Sequence, residues 1–74
     1  MKVYRYYCRF RPPMPGAIPR PGLQNVASFD WPQTFEGVRG RVGAWGWAEY
    51  DRPLTDKEIC DYELVPSRNN PLTY

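Results

Sequence analysis

Arginine and aromatic side chains dominate the residues of this sequence that could do chemistry. Read with period two, Lys2 to Arg11 places Tyr4, Tyr6, Cys8 and Phe10 on one face of a strand and Val3, Arg5, Tyr7, Arg9 and Arg11 on the other. Arg5, Arg9 and Arg11 around the Tyr7 ring suit a phosphorylated or aromatic ligand, because a guanidinium forks onto phosphate or carboxylate oxygens and stacks on rings. A solvated face on which Tyr7 covers arginine stems fits the same pattern.

The strand runs into Pro12-Pro13-Met14-Pro15-Gly16-Ala17-Ile18-Pro19-Arg20-Pro21-Gly22, which holds five of the nine prolines. Each proline fixes φ near −65° and pushes the preceding residue towards extended geometry, so this segment is a stiff loop. Met14 and Ile18 are out of character for a solvated linker. The loop therefore packs or binds, with a rigid spacer closing one end of a small sheet as the alternative. A second aromatic pair, Trp45 and Trp47, lies in Arg41 to Asp51, where Val42, Ala44, Gly46, Ala48 and Tyr50 form the opposite face. Those small side chains would let a helix approach the sheet closely. Trp45 and Trp47 would then share the uncovered side with Arg5, Tyr7 and Arg9, as an interface or ligand site; the reverse assignment makes them core.

Other chemistries fit poorly. Gly37, Gly40 and Gly43 surround Arg39 and Arg41 but lack the Gly-Lys-Ser/Thr ending of a P-loop, so a hairpin connection is the better reading of Gly-Val-Arg-Gly-Arg. With no histidine, the usual acid/base group and the catalytic triads are absent. Glu49 and Asp51 could pair as carboxylates, but Arg41 and Arg52 favour ordinary ion pairing. Cys8 and Cys60 are too few for a thiolate zinc site, and nothing argues for a disulfide between them. No cofactor and no metal is expected, and the protein is read as not an enzyme.

The elements needed to position these residues are few. At 74 residues the sequence allows one small domain, 1–66, with a polar tail at 67–74 that is disordered or ordered only by a neighbouring subunit. The fold class expected is α+β: a three-stranded, mainly antiparallel sheet (residues 2–11, 23–30 and 41–51), a proline-rich loop and one short C-terminal helix at 56–63. Pro32 to Gly43 reads as loop. The helix is signalled by the capping box Thr55-Asp56-Lys57-Glu58, with Leu54, Ile59 and Tyr62, joined by Cys60, as its buried stripe.

Charge is uneven: residues 1–22 carry +5, residues 23–54 carry −1 and residues 55–74 carry −2, for a net +2. Eight of the ten cations are arginine, which points to a defined anionic partner; duplex nucleic acid, which calls for a broad basic face, is a poor fit. The N-terminus lacks the apolar core of a secretory signal and no run approaches the length of a membrane span, so a cytoplasmic protein with no membrane association is expected. So small a core needs support, and a homo-oligomer is the form expected.

Three segments, Arg-Phe-Arg-Pro-Pro-Met-Pro-Gly-Ala-Ile-Pro-Arg (9–20), Ala-Trp-Gly-Trp-Ala-Glu-Tyr (44–50) and Leu-Thr-Asp-Lys-Glu-Ile-Cys-Asp-Tyr-Glu-Leu-Val-Pro (54–66), resemble short uncharacterised proteins of Firmicutes phages and mobile elements. The resemblance implies an anti-defence role in the host bacterial cytoplasm, without assigning roles to residues. One form of it is sequestration of a small anionic nucleotide immune signal, of cyclic or ADP-ribose type, in a pocket completed by an oligomer. Tyr7, Arg9, Arg11, Pro15, Gly16, Arg20, Trp45 and Trp47 are its candidate ligand-binding residues. The alternative is a protein–protein inhibitor of a host defence protein such as an immune nuclease, acting through the same Trp/Arg surface; an accessory phage protein whose patch is its own subunit interface is a third reading.

Overall fold

The computed structural model describes residues 1–14 and 16–73. In chain order the elements are β1 (Lys2–Cys8), β2 (Leu23–Gly37), β3 (Gly40–Tyr50), α1 (Asp56–Asp61), β4 (Leu64–Pro66) and β5 (Leu72–Thr73). The strands form one antiparallel sheet in the order β2-β3-β1-β4, and β5 pairs with β1 beside β4. The α+β expectation is therefore corrected: the longest strand has 15 residues and the helix only six, so the fold is close to all-β.

Two features of the chain account for the correction. The first is Pro32, read from sequence as a stop. In β2 it falls inside a register irregularity, where Phe29, Asp30, Trp31 and Pro32 stand opposite Trp45 alone, between the pairs Ser28↔Gly46 and Gln33↔Ala44. A proline costs no ladder hydrogen bond at a bulge on an edge strand, so β2 resumes and reaches Gly37. The two-residue turn Val38-Arg39 then leads into β3, with Gly40 at φ 116°, a region that a side chain would disfavour.

The second is the C-terminal segment, which docks on β1 of its own chain. Ser67 N–H donates to Arg5 O at 2.9 Å. The Asn70 side-chain amide accepts from Arg5 N–H at 2.8 Å and donates to Arg5 O at 2.9 Å, imitating a paired strand residue. Lys2↔Thr73 and Val3↔Leu72 continue the pairing. Residues 67–73 thus pair with β1 of the same chain, and Tyr74 lies outside the described residues.

The same segment closes the sheet at one end. Gly37 bridges Ser67, Val38 N–H donates to Pro66 O at 3.0 Å, and Arg68 N–H donates to Glu36 O at 3.1 Å. The end of β2 thereby meets the chain that follows β4, and the strand order returns on itself. A Cβ on Gly37 would lie 2.9 Å from Val65 Cγ1, so the closure depends on glycine there.

Two apolar clusters result. Tyr6, Cys8, Ala48 and Tyr50 pack with Ile18, Leu54 and Leu64, flanked by Ile59 and Tyr62 of and just after α1. Tyr7, Val42 and Ala44 pack with Phe35, Trp47 and Val65. The even-numbered residues of β3 thus divide between the clusters, and the division falls opposite the β2 bulge. The small side chains of β3 do admit a close neighbour, but it is the proline loop and not a helix that takes the place over Gly46: a Cβ there would lie 2.5 Å from Pro13 Cδ. Tyr50 Oη–H donates to Pro19 O at 2.6 Å and Leu54 N–H donates to Tyr6 Oη at 2.9 Å, satisfying buried polar groups while pinning both flanking segments. No helix of the described residues is long and apolar enough to cross a membrane.

Candidate functional site

The eight residues singled out from sequence divide by position. Tyr7 is 4% exposed, and its ring stacks on Phe35 with centroids 4.6 Å apart, so that face is already occupied. Trp47 stands opposite Tyr7 on β3, as the face assignment anticipated, and the Arg5 guanidinium lies 4.3 Å from the centre of its ring. Trp45 is half-buried beside the bulge. Gly16 is exposed at φ 87°, Arg20 is exposed, and Pro15 lies outside the described residues. Tyr7 and Trp47 thus meet across the β1–β3 ladder against the second apolar cluster, whereas Arg9 and Arg11 lie apart from them, at the end of the sheet where β1 finishes. Arg11 Nη2 is 2.8 Å from Glu63 Oε1, and the Arg9 guanidinium lies 5.2 Å from the ring centre of Phe10.

That end of the sheet holds an open groove of about 730 Å³. The size is within the range of small-ligand and peptide sites, and the mouth of a curled sheet is a usual place for one. Its walls come from three separated parts of the chain: Arg9 and Phe10 after β1, residues 38–42 of the β2–β3 hairpin, and residues 56–66 with the helix and β4. β3 overhangs β1 here, because pairing with β1 ends at Cys8↔Gly46 while β3 begins at Gly40. Overhang and closure together lift Val38, Arg39 and Arg41 over β4.

The groove combines cations with exposed apolar surface. Phe10 and Val38 are 61% and 56% exposed, and Ile59 and Val65 contribute further apolar area. Among the described residues no carboxylate reaches ion-pairing distance of Arg9 or Arg39. Arg41 is 3.8 Å from Glu36, which also meets Arg68 at 3.6 Å, and pairs this long and exposed hold little. Asp56 and Glu63 supply the negative charge, and Glu63 is engaged by Arg11. Phe10, Arg39 and Arg41 were not assigned to the site from sequence. The signal for two of them was present in Gly-Val-Arg-Gly-Arg, read correctly as a hairpin connection.

Glu49 and Asp51 are bound by different partners. Glu49 is 1% exposed and bound by Arg5 at 2.6 Å and Asn25 at 3.2 Å, whereas Asp51 accepts from Gln24 at 3.3 Å. Cys8 is buried and Cys60 exposed, both as free thiols; burial pushes the Cys8 thiol up to about 11, where it is inert at neutral pH.

In architecture, then, this is a small antiparallel sheet curled onto itself, with an arginine-rich cleft at its closed end. The chain belongs to the family described as Defence against restriction A C-terminal, whose model matches residues 1–69 and so includes every wall of the groove. It is 36% identical over 62 residues to the Defense against restriction protein A of Escherichia phage P1, an alignment covering 84% of this chain and 9% of that protein. The chain thus spans about a tenth of the length of the relative it matches. No solved structure matches. The coarse expectation of a phage anti-defence family is met; the relative belongs to an Escherichia phage, and a Firmicutes origin is not supported.

Proposed function

We propose that this chain is a non-catalytic contact module that acts against the restriction machinery of an infected host, in the host cytoplasm, by engaging another protein through the arginine-lined groove. The observation that carries this reading is the juxtaposition of exposed Phe10 and Val38 with Arg9, Arg39 and Arg41 at one concave site. Aromatic residues and arginine dominate binding energy at protein interfaces, and side chains of this size are seldom left in water without a partner. A lack of histidine and the capture of Glu49 by Arg5 speak for binding without chemistry. The groove draws its walls from three parts of one chain.

The test is protection of phage DNA. A phage carrying the wild-type chain is compared with one carrying Phe10→Ala/Arg39→Ala/Arg41→Ala on a restricting and a non-restricting host. Loss of plating on the restricting host alone is the expected result; full protection by the triple variant would discard the groove as the contact surface.

A second reading, capture of a small anionic nucleotide, is favoured by one observation: Phe10 offers an exposed ring beside three guanidinium groups. Calorimetry with cyclic dinucleotides and ADP-ribose derivatives decides it, with dissociation constants below about 100 μM required to sustain sequestration.

A further inference from the structure

Resting on the groove as a protein-contact surface, we infer that its occupant is an extended acidic segment of the partner that carries at least one apolar side chain. Three features specify that chemistry. The hairpin wall is cationic, with Arg39 and Arg41 exposed on either side of Gly40, and Arg9 lines the same groove. Guanidinium groups of this kind pair with carboxylates two-pronged, which rewards Asp and Glu over a diffuse negative field. Phe10, Val38 and Ile59 add apolar surface to the same groove, so an anion alone would leave it uncovered, whereas a leucine or phenylalanine flanked by acids covers it.

The third feature separates a peptide from a nucleic acid. Asp56 and Glu63 line the same groove as the arginines, and Glu63 is held by Arg11. A phosphate backbone, charged at every step, would be brought against those carboxylates wherever it followed the cleft. A peptide concentrates its charge on selected side chains and presents backbone N–H groups elsewhere, so it can satisfy both signs of charge. The groove is therefore of mixed charge, which suits selected acidic side chains better than a uniformly charged strand.

Fluorescence anisotropy with the 74-residue protein tests this, using a labelled synthetic peptide of glutamate and aspartate around a central leucine. Its glutamine/asparagine counterpart and a short DNA duplex are the comparison probes, and amide chemical-shift changes locate the binding site. The acidic peptide is expected to bind at tens of micromolar, with about tenfold weaker binding for the amide counterpart and about tenfold for Arg39→Glu/Arg41→Glu. Shift changes should fall on residues 38–41 and on Ile59. The milder Arg39→Gln/Arg41→Gln, with an unchanged circular dichroism melt, guards against loss of fold. Equal binding of the neutral peptide, tighter groove-dependent binding of the duplex, or no peptide binding would each overturn the inference. The plating test above reads the groove's role independently: lost protection by the triple variant with no acidic-peptide binding would reject the ligand chemistry while keeping the contact surface.

Discussion

Arg5 and Glu49 face each other across the β1–β3 ladder, with Arg5 Nη2 2.6 Å and Nε 2.8 Å from the same carboxylate oxygen, Glu49 Oε2. Glu49 is 1% exposed, Asn25 donates to its other oxygen, and the Arg5 guanidinium plane covers Trp47. Removing one partner of a buried pair typically costs about 3–5 kcal/mol, since the remaining charge stays out of water. With the Arg5 side chain 22% exposed, Arg5→Ala should fall near the lower end, about 3 kcal/mol. Arg5→Lys loses the two-pronged contact and the stacking plane and should cost about half as much. Urea denaturation of both variants gives the ranking; equal stability of Arg5→Lys and wild type would contradict it.

Gly46 and Gly43 stand on the same strand with opposite tolerance. A Cβ at Gly46 would strike Ala27 O and reach 2.5 Å from Pro13 Cδ, whereas nothing lies within 4 Å of one at Gly43. Overpacking of this kind costs about 1–3 kcal/mol, and here backbone must move, so Gly46→Ala should lie at or above the top of that range. Gly43→Ala should leave the melting temperature unchanged or slightly raised, because alanine restricts the unfolded chain more than glycine does. Paired thermal melts check both.

The helix start is sensitive to acid. The Arg52 guanidinium and the Thr55 N–H both bond the Glu58 carboxylate and hold its pKa down to about 2, against an ordinary 4.5. A group with a lowered pKa in the folded state contributes stability that is fully present above about 4.5 and is lost as pH falls through about 2. Glu58→Gln should remove that part of the acid sensitivity and lower stability at neutral pH. Denaturation midpoints of wild type and variant, measured from neutrality to pH 2, should converge as pH falls.

The two thiols should react at very different rates. Cys60 is exposed, while Cys8 is buried and its thiol is pushed up by about two units, to about 11. Two units correspond to about 100-fold less thiolate at a given pH. A colorimetric thiol reagent should modify Cys60 in the native protein and Cys8 only on unfolding, with the Cys60→Ser variant unreactive until denaturant is added. Rapid reaction of both thiols in native buffer would show that the proline loop and α1 do not shield Cys8.

Local signals in the chain were enough for β1, for most of β3 and for the start of α1. Alternation from Lys2 to Cys8 writes a two-faced strand into adjacent residues, and Thr55 with Glu58 caps the helix through atoms three positions apart. Alternation sorted Tyr7 and Trp47 within their own strands, but which faces coincide was left open in the sequence and is fixed by the β1–β3 register that pairs them. Sequence could not show that Pro32 would sit harmlessly in a bulge, because that depends on the strand opposite. Nor could it show that residues 67–73 would pair with β1, since their partners on that strand lie more than sixty positions away: Asn70 and Arg5 are 65 apart. The groove is non-local for the same reason. Arg9, Arg39, Arg41 and Ile59 line one groove only when the sheet curls and Gly37 meets Ser67, an outcome set by backbone pairing between the turn of the β2–β3 hairpin and the C-terminal segment, which no single stretch of residues encodes.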